Sequence, residues 1–175
     1  MNKKVLIVIA IIVVIAVVVA VYVATQNSGD KTNPEAQNVT GEVQDEGFKV
    51  SYLGVDVTPG TPFNRNDIPE EGTYSEIPSC AFEGTDNVAT FSHAEITSAQ
   101  VNGVETVYSV YFLDTEIKTE EGVAISDDRA KVIEAYGENF EENGNKITYT
   151  KGNVELSFLI ENDIVTSIEY VLVVE

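Results

Sequence analysis

The sequence predicts an α+β protein in which an N-terminal transmembrane helix precedes a helix packed on an antiparallel β-meander. Three observations lead to this prediction. An apolar run, broken only by Tyr22, occupies residues 5–24, a segment with helical periodicity occupies 126–137, and the runs that follow it alternate apolar and polar residues. The pattern leaves open whether the helix-and-meander unit occurs once or as two tandem copies.

The apolar run is long enough to cross a bilayer, because twenty helical residues span about 30 Å. A cleaved signal peptide is the alternative, but its apolar core usually has about 7–15 residues and ends in a small-x-small site. Residues 1–24 therefore predict a cytoplasmic tip and an uncleaved anchor. Lys3 and Lys4 precede the run, and this favours a cytoplasmic N-terminus and an extracytoplasmic C-terminal part.

Residues 25–47 contain almost nothing that could be buried, which is typical of a flexible stalk. The rest, 48–175, predicts an acidic extracytoplasmic domain. The whole chain carries −19, from ten Lys and Arg against 29 Asp and Glu. Such a balance argues against nucleic acid as a partner, because phosphate binding needs clustered basic residues. It also disfavours docking on anionic lipid headgroups.

The helix of the last segment has clear start and stop signals. Ser126 or Asp127 can cap its N-terminus, and Gly137 can end it. Its apolar residues recur along one face: Ala130, Ile133 and Tyr136.

The meander is predicted from three runs with a period of two, separated by turns at 151–153 and 161–163. The first run places Ile147 and Tyr149 on one face, and the second places Val154, Leu156, Phe158 and Ile160 there. The third run does the same with Ile164, Thr166, Ile168, Tyr170, Leu172 and Val174. One helix on three antiparallel strands satisfies this pattern.

The middle of the chain resembles this plan, with matching short segments 58 to 62 residues apart, so 48–113 and 114–175 are candidate repeats. Asn102–Gly103 predicts a tight hairpin. The strand after it is apolar on both faces over 104–113, which indicates either a central strand covered on both sides or an exposed patch for a partner.

Three segments carry a resemblance to known proteins: Tyr74–Asp86, Val107–Asp114, and Gly122–Asp128 with Ala135–Gly137. They resemble small membrane-anchored or lipoprotein-like surface proteins of Gram-positive bacteria, whose function is not assigned. The helix-and-meander unit is also similar to the fold of β-lactamase-inhibitor-like and BamE-like proteins. That resemblance implies a domain that binds other proteins and catalyses nothing, although those folds usually begin each unit with two helices.

Residues that could carry chemistry are few. His93 is the only histidine and is expected in an exposed turn, and Cys80 is the only cysteine and is expected in the core. Adjacent acids are expected to be solvated: Glu70–Glu71, Glu120–Glu121, Asp127–Asp128 and Glu141–Glu142. Asn64–Asp67 and Glu161–Asp163 offer oxygen ligands without the spacing of a calcium loop. No catalytic, cofactor-binding or metal-ligating residue is assigned.

These observations favour a non-catalytic binding or interaction module at the cell surface, whose ligand is an unknown protein or envelope polymer. The alternative is a small extracytoplasmic hydrolase that uses two carboxylates, since 29 acids bring some of them close together. A third reading is a domain that assists envelope assembly. A cleft with converging acids would favour the enzyme, and an exposed sheet face or edge would favour the binding module.

Overall fold

The computed structural model describes residues 47–81 and 84–174. The predicted anchor and all but the last residue of the predicted stalk lie outside this part. Within it, no helix is long and apolar enough to cross a membrane. The described residues form mostly antiparallel β-sheet with one short helix, so the predicted α+β class is confirmed at that level.

The elements follow one another in a simple order. A small hairpin of β1 (Ser51–Tyr52) and β2 (Val55–Asp56) precedes a 3₁₀ turn at Arg65–Asp67. The first four long strands are β3 (Thr73–Pro78), β4 (Thr85–Thr90), β5 (Ala94–Val101) and β6 (Val104–Phe112). Helix α1 (Arg129–Tyr136) follows, and then come β7 (Glu141–Asn143), β8 (Lys146–Lys151), β9 (Val154–Glu161) and β10 (Ile164–Leu172).

Strands β3 to β10 form one eight-stranded antiparallel sheet in the order β3-β4-β5-β6-β10-β9-β8-β7. Each half is a four-stranded meander, and the two meanders meet where β6 pairs with β10. That seam consists of three residue pairs, in which 109–111 face 169–171. The meander of the second half has four strands and not the predicted three, because Glu141–Asn143 adds β7 at its edge.

Each strand of the seam contains one extra residue. Thr97 and Ser98 of β5 face Ser109 and Val107, so Tyr108 is left over as a bulge in β6. In β10 the extra residue is Thr166.

The bulges change which side chains are buried. Val107 joins Val110 and Phe112 in the core, although strict alternation predicts the opposite face for it. The prediction that Ile164 and Thr166 share a face with Ile168 is wrong for the same reason: both are exposed, and Val165 is buried instead.

The core lies on one face of the sheet. It includes all four apolar residues predicted to share one face of β9, which confirms that face: Val154, Leu156, Phe158 and Ile160. Segments outside the sheet cover this face, including Val50, Val57 and Val123. The hairpin at Asn102–Gly103 is also confirmed, with both residues at positive φ (52° and 79°), as a type I′ turn requires.

Helix α1 is shorter than predicted and begins later. The N-cap is Asp128, whose side chain accepts a hydrogen bond from the backbone N–H of Lys131, so the predicted caps Ser126 and Asp127 are wrong. Val132 is the buried residue of the helix, and it lies outside the predicted apolar face. Gly137 ends the helix at φ 83°, as predicted.

The first half has no α-helix among its described residues, whereas a second copy of the helix-and-meander unit would contain one. The 3₁₀ turn at Arg65–Asp67 stands before the first meander instead. The chain leading to it pairs with the start of β6, through Pro62 opposite Thr106. In the second half, Asp128 lies opposite Ile164 at the start of β10. A three-residue turn covers less of a sheet than a helix, and a cleft is left beside it.

Candidate functional site

The cleft lies between the 3₁₀ turn and the first meander and has a volume of about 680 Å³. Its walls come from the turn on one side and from strands β3 to β6 on the other. The polar residues that line it are Asn64, Arg65, Asn66, Ser75, Glu76, Asn87, Ser98 and Glu105, and the others are Phe63, Tyr74, Val88 and Ala89.

Glu105 is the most firmly held side chain of this cleft. One carboxylate oxygen accepts hydrogen bonds from the Asn87 amide and the Ser98 hydroxyl, each at 2.7 Å. The other oxygen accepts from the Gln100 amide at 3.1 Å. All three donors are neutral, and none of the ion pairs found among the described residues involves Glu105. The cleft therefore holds an oriented negative charge whose countercharge is not supplied by these residues.

Among the described residues that line the cleft, Arg65 is the one cation, and its side chain already contacts an aromatic ring. The Arg65 guanidinium lies 4.4 Å from the centre of the Tyr74 ring, within the range of a cation–π contact. Tyr74 in turn meets Phe91 edge-to-face, with 6.3 Å between ring centres. This stack joins the 3₁₀ turn to β3 and fixes one wall of the cleft.

The sheet face opposite the core carries a second group of acids. One cross-strand row on this face contains Glu95, Tyr111 and Glu169, because Tyr111 pairs with both glutamates. Glu95 accepts a hydrogen bond from the Thr90 hydroxyl at 3.1 Å. Burial raises the pKa of Glu169, and Lys146 partly opposes that rise. Two carboxylates in different environments thus flank one tyrosine.

His93 lies in the β4–β5 turn, as predicted, but it is not solitary. Its Nδ1 lies 2.7 Å from the Asp114 carboxylate, and both side chains are 39% exposed. The hydrogen bond to Asp114 raises the pKa of His93, and the same contact lowers the pKa of Asp114.

Glu70 continues this cluster by joining the N-terminal hairpin to the same turn. Its carboxylate accepts hydrogen bonds from the Ser92 hydroxyl and, at 2.6 Å, from the Tyr52 hydroxyl. These two bonds lower the pKa of Glu70. Burial, with the bond to Glu70, raises the pKa of Tyr52 to about 12. Among the described residues the cluster links four segments: β1, the segment before β3, the β4–β5 turn and the segment after β6. This is a structural role.

Three other residues considered from the sequence do not line the cleft: Cys80, Asp127 and Glu142. Cys80 is exposed in the loop after β3, so its expected place in the core is wrong. Asp127 pairs with Lys131 at 2.7 Å, and Glu142 binds Arg129 through two hydrogen bonds. Among residues 47–81 and 84–174, no group of three His, Cys, Asp or Glu side chains could hold a metal ion.

Sequence reasoning missed Glu105 and the cleft. Glu105 follows Asn102–Gly103 in the hairpin, and its three donors come from β4 and β5, at positions without a shared motif. Strict alternation in β6 places Glu105 on the face opposite Val110 and Phe112. Only the bulge at Tyr108 brings it to the core face, so no local pattern in the sequence points to it.

No protein-family model, curated protein or solved structure matches this chain. The resemblance to anchored surface proteins of Gram-positive bacteria therefore stays a prediction.

Proposed function

We propose that this chain is a membrane-anchored cell-surface binding module, and that the cleft holds a cationic group of a protein or an envelope polymer. The observation that carries the proposal is the Glu105 carboxylate, which three neutral donors orient toward a cleft without an ion pair among the described residues. A charge that is already oriented binds a countercharge at a smaller entropic cost than a mobile one does.

The overall charge supports the same ligand class. Seven Lys and Arg stand against 22 Asp and Glu among the described residues, so the domain attracts cations from a distance. The cleft is also rich in amide and hydroxyl groups, which suit a polar ligand better than an apolar one.

The binding site is tested by NMR titration of the ¹⁵N-labelled full chain in detergent micelles. The probes are Nα-acetyl-lysine amide for a protein ligand, glucosamine for a polymer ligand, and the Nζ-acetylated lysine derivative as the uncharged control. We expect the amide signals of Asn87 and Ser98 to shift with a cationic probe only. Glu105→Gln should abolish these shifts, and Glu138→Gln, which removes the same charge from an exposed position after α1, should not. If both variants lose the shifts equally, the probes are attracted by the overall negative charge of the domain and the cleft is not a specific site.

We propose that residues 1–24 anchor the chain with its N-terminus in the cytoplasm, and that 25–47 hold the domain off the membrane. The apolar run and its two preceding lysines support this arrangement. Intact cells treated with protease should lose the C-terminal domain while keeping an N-terminal tag, and alkaline carbonate should leave the chain in the membrane fraction. Release of a chain that lacks residues 1–24 would indicate cleavage instead.

We also propose that the two halves are tandem copies. The bulges Tyr108 and Thr166 are 58 residues apart, and so are Thr106 and Ile164, the strand residues of the two isolated bridges. The bridge to the incoming segment and the bulge therefore lie at corresponding positions in the two halves, next to the strand of each half that forms the seam. On this proposal the cleft occupies the place that α1 fills in the second copy. Expressing 114–175 alone tests this point: a folded copy should give dispersed NMR signals.

A hydrolase remains the second candidate because of Glu95 and Glu169. They lie two strands apart, which places their Cα atoms about 10 Å from each other. Inverting glycosidases separate their carboxyl groups by about 6.5–9.5 Å. The raised pKa of Glu169 suits a proton donor. Release of reducing sugar from envelope polysaccharide, lost in Glu169→Gln and in Glu95→Gln, would favour the enzyme, and its absence with the purified chain would leave the binding module.

A further inference from the structure

Strand β3 is an edge strand that offers free backbone groups to another chain. Ser79, the residue after β3, donates its backbone N–H to the Gly84 carbonyl, so these two residues form a hydrogen-bonded pair. Because hydrogen-bonded and non-bonded pairs alternate, Tyr74 and Glu76 direct their N–H and C=O groups away from β4. Pro78 agrees with this register, since its nitrogen, which has no hydrogen, also faces outward.

The two edges of the sheet differ in how well they are protected. At the far edge, β7 has three residues, of which two are glutamates, and Glu142 is fixed by Arg129. Short, charged edge strands resist pairing with another chain. By contrast, β3 has six exposed residues with a single charge at Glu76, and Tyr74 and Ile77 expose 44% and 45% of their surface.

The free groups of β3 belong to the same residues that line the cleft. The side chains of Tyr74 and Glu76 face the cleft, and their backbone groups form the free edge. In an antiparallel pair, directly opposite residues place their side chains on the same face. A strand added to β3 would therefore direct toward the cleft the side chains of the residues opposite Tyr74 and Glu76.

We propose that β3 binds an extended polypeptide segment as a ninth strand, with a basic residue opposite Glu76. This proposal rests on the proposed binding role of the domain and chooses a protein ligand over a polymer. The segment is basic because Glu76 is the charge of β3 and because acids outnumber Lys and Arg by 22 to 7 in the described residues. The same charge disfavours a second copy of this chain on the edge, since it would bring two acidic domains together. Backbone hydrogen bonds supply the affinity, and the side chains opposite Tyr74 and Glu76 supply selectivity.

The test uses the full chain in detergent micelles and a fluorescent capped peptide, Thr-Val-Thr-Lys-Thr-Val-Thr, whose affinity is measured by fluorescence anisotropy. In the proposed pair the lysine N–H points toward β3 and the N–H groups of its two neighbours point away. Methylating the backbone nitrogen of the lysine should weaken binding about tenfold, since a hydrogen bond to the protein is lost. Methylating the backbone nitrogen of either neighbouring residue should leave the affinity within about threefold. Equal effects at both places would overturn strand addition.

Charge reversal on the protein tests the pairing with Glu76. Glu76→Lys should weaken the binding of the lysine peptide and strengthen that of an analogue with glutamate in place of lysine. Glu138→Lys, a matched charge reversal far from β3, should leave the lysine peptide as the preferred ligand. A preference that follows net charge alone in both variants would overturn the pairing.

The same peptide separates this inference from the proposed cleft site. If Glu105→Gln abolishes peptide binding and backbone methylation has no effect, the cleft site is supported and strand addition is overturned. If methylation of the lysine backbone nitrogen weakens binding and Glu105→Gln has no effect, strand addition is supported and the cleft site is overturned. A dimer by sedimentation that dissociates when the peptide is added would identify a second copy as the occupant of β3 and overturn the proposed ligand.

Discussion

Replacing Glu105 with alanine should destabilise the protein by about 2–4 kcal/mol. The hydroxyl of Ser98 is 2.7 Å from the Glu105 carboxylate, and Ser98 is fully buried. Leaving a buried donor without an acceptor costs about 1–3 kcal/mol. Asn87 is half-buried and Gln100 is exposed, so water can replace their acceptor, and the two lost bonds together add about 1 kcal/mol.

Glutamine at the same position provides the comparison. Its carbonyl oxygen can still accept from Asn87 and Ser98, and only the bond from exposed Gln100 meets a donor instead of an acceptor. We therefore expect Glu105→Gln to lose no more than about 1 kcal/mol. Urea denaturation followed by the fluorescence of the eight tyrosines measures both variants, since the chain has no tryptophan. An alanine variant as stable as the glutamine variant would refute the reasoning, because Ser98 would then have another partner.

Three further predictions concern stability. Asp128→Ala removes the cap of α1 and should cost about 1 kcal/mol in urea denaturation, and an unchanged midpoint would contradict the capping role. Gly72→Ala places a Cβ 2.9 Å from the ring of Phe91 and 2.9 Å from the backbone oxygen of Thr90, so we expect a loss of about 1–3 kcal/mol. An unchanged melting temperature would mean that both the ring and the backbone at Gly72 shift at little cost. The hydrogen bond to Asp114 raises the pKa of His93 in the folded state. The contribution of His93 to the stability of the fold is therefore fully present below its unfolded pKa of about 6.5 and is lost as pH rises through the folded value. His93→Gln should flatten the dependence of melting temperature on pH in that window, and parallel curves for both proteins would contradict this.

The part of the fold that sequence reasoning predicted rests on strong local signals. Val154, Leu156, Phe158 and Ile160 recur at every second position, and β9 buries all four. Asn102 and Gly103 tolerate positive φ, and Gly137 does so at the end of α1. At each of these places one local interaction decides the conformation, so the sequence pattern is sufficient.

The errors arise where pairing between distant segments decides the conformation. The bulges at Tyr108 and Thr166 depend on the register of the neighbouring strand, and alternation along one strand carries no information about them. Strand β7 has no apolar residue in Glu141–Asn143, so only its partner β8 makes it a strand. The N-cap falls at Asp128 because that residue is also paired with β10.

The candidate site could not be predicted for a related reason. The Glu105 carboxylate is held in place by donors on two other strands. The cleft is open because a 3₁₀ turn lies where a second copy of the unit would have a helix. Its residues are ordinary polar side chains with no fixed spacing. The excess of acids over Lys and Arg predicts a solvated surface and does not single out any one carboxylate.

The seam between β6 and β10 constrains the order in which the sheet can assemble. All other neighbours in the eight-stranded sheet are consecutive along the chain, whereas the seam pairs Val110 with Tyr170, about 60 residues apart. Closing so long a loop is slow, so the two meanders should form first and join last. Until they join, β6 and β10 are both open edges with apolar side chains, and an emerging chain is then most exposed to misassociation with its neighbours.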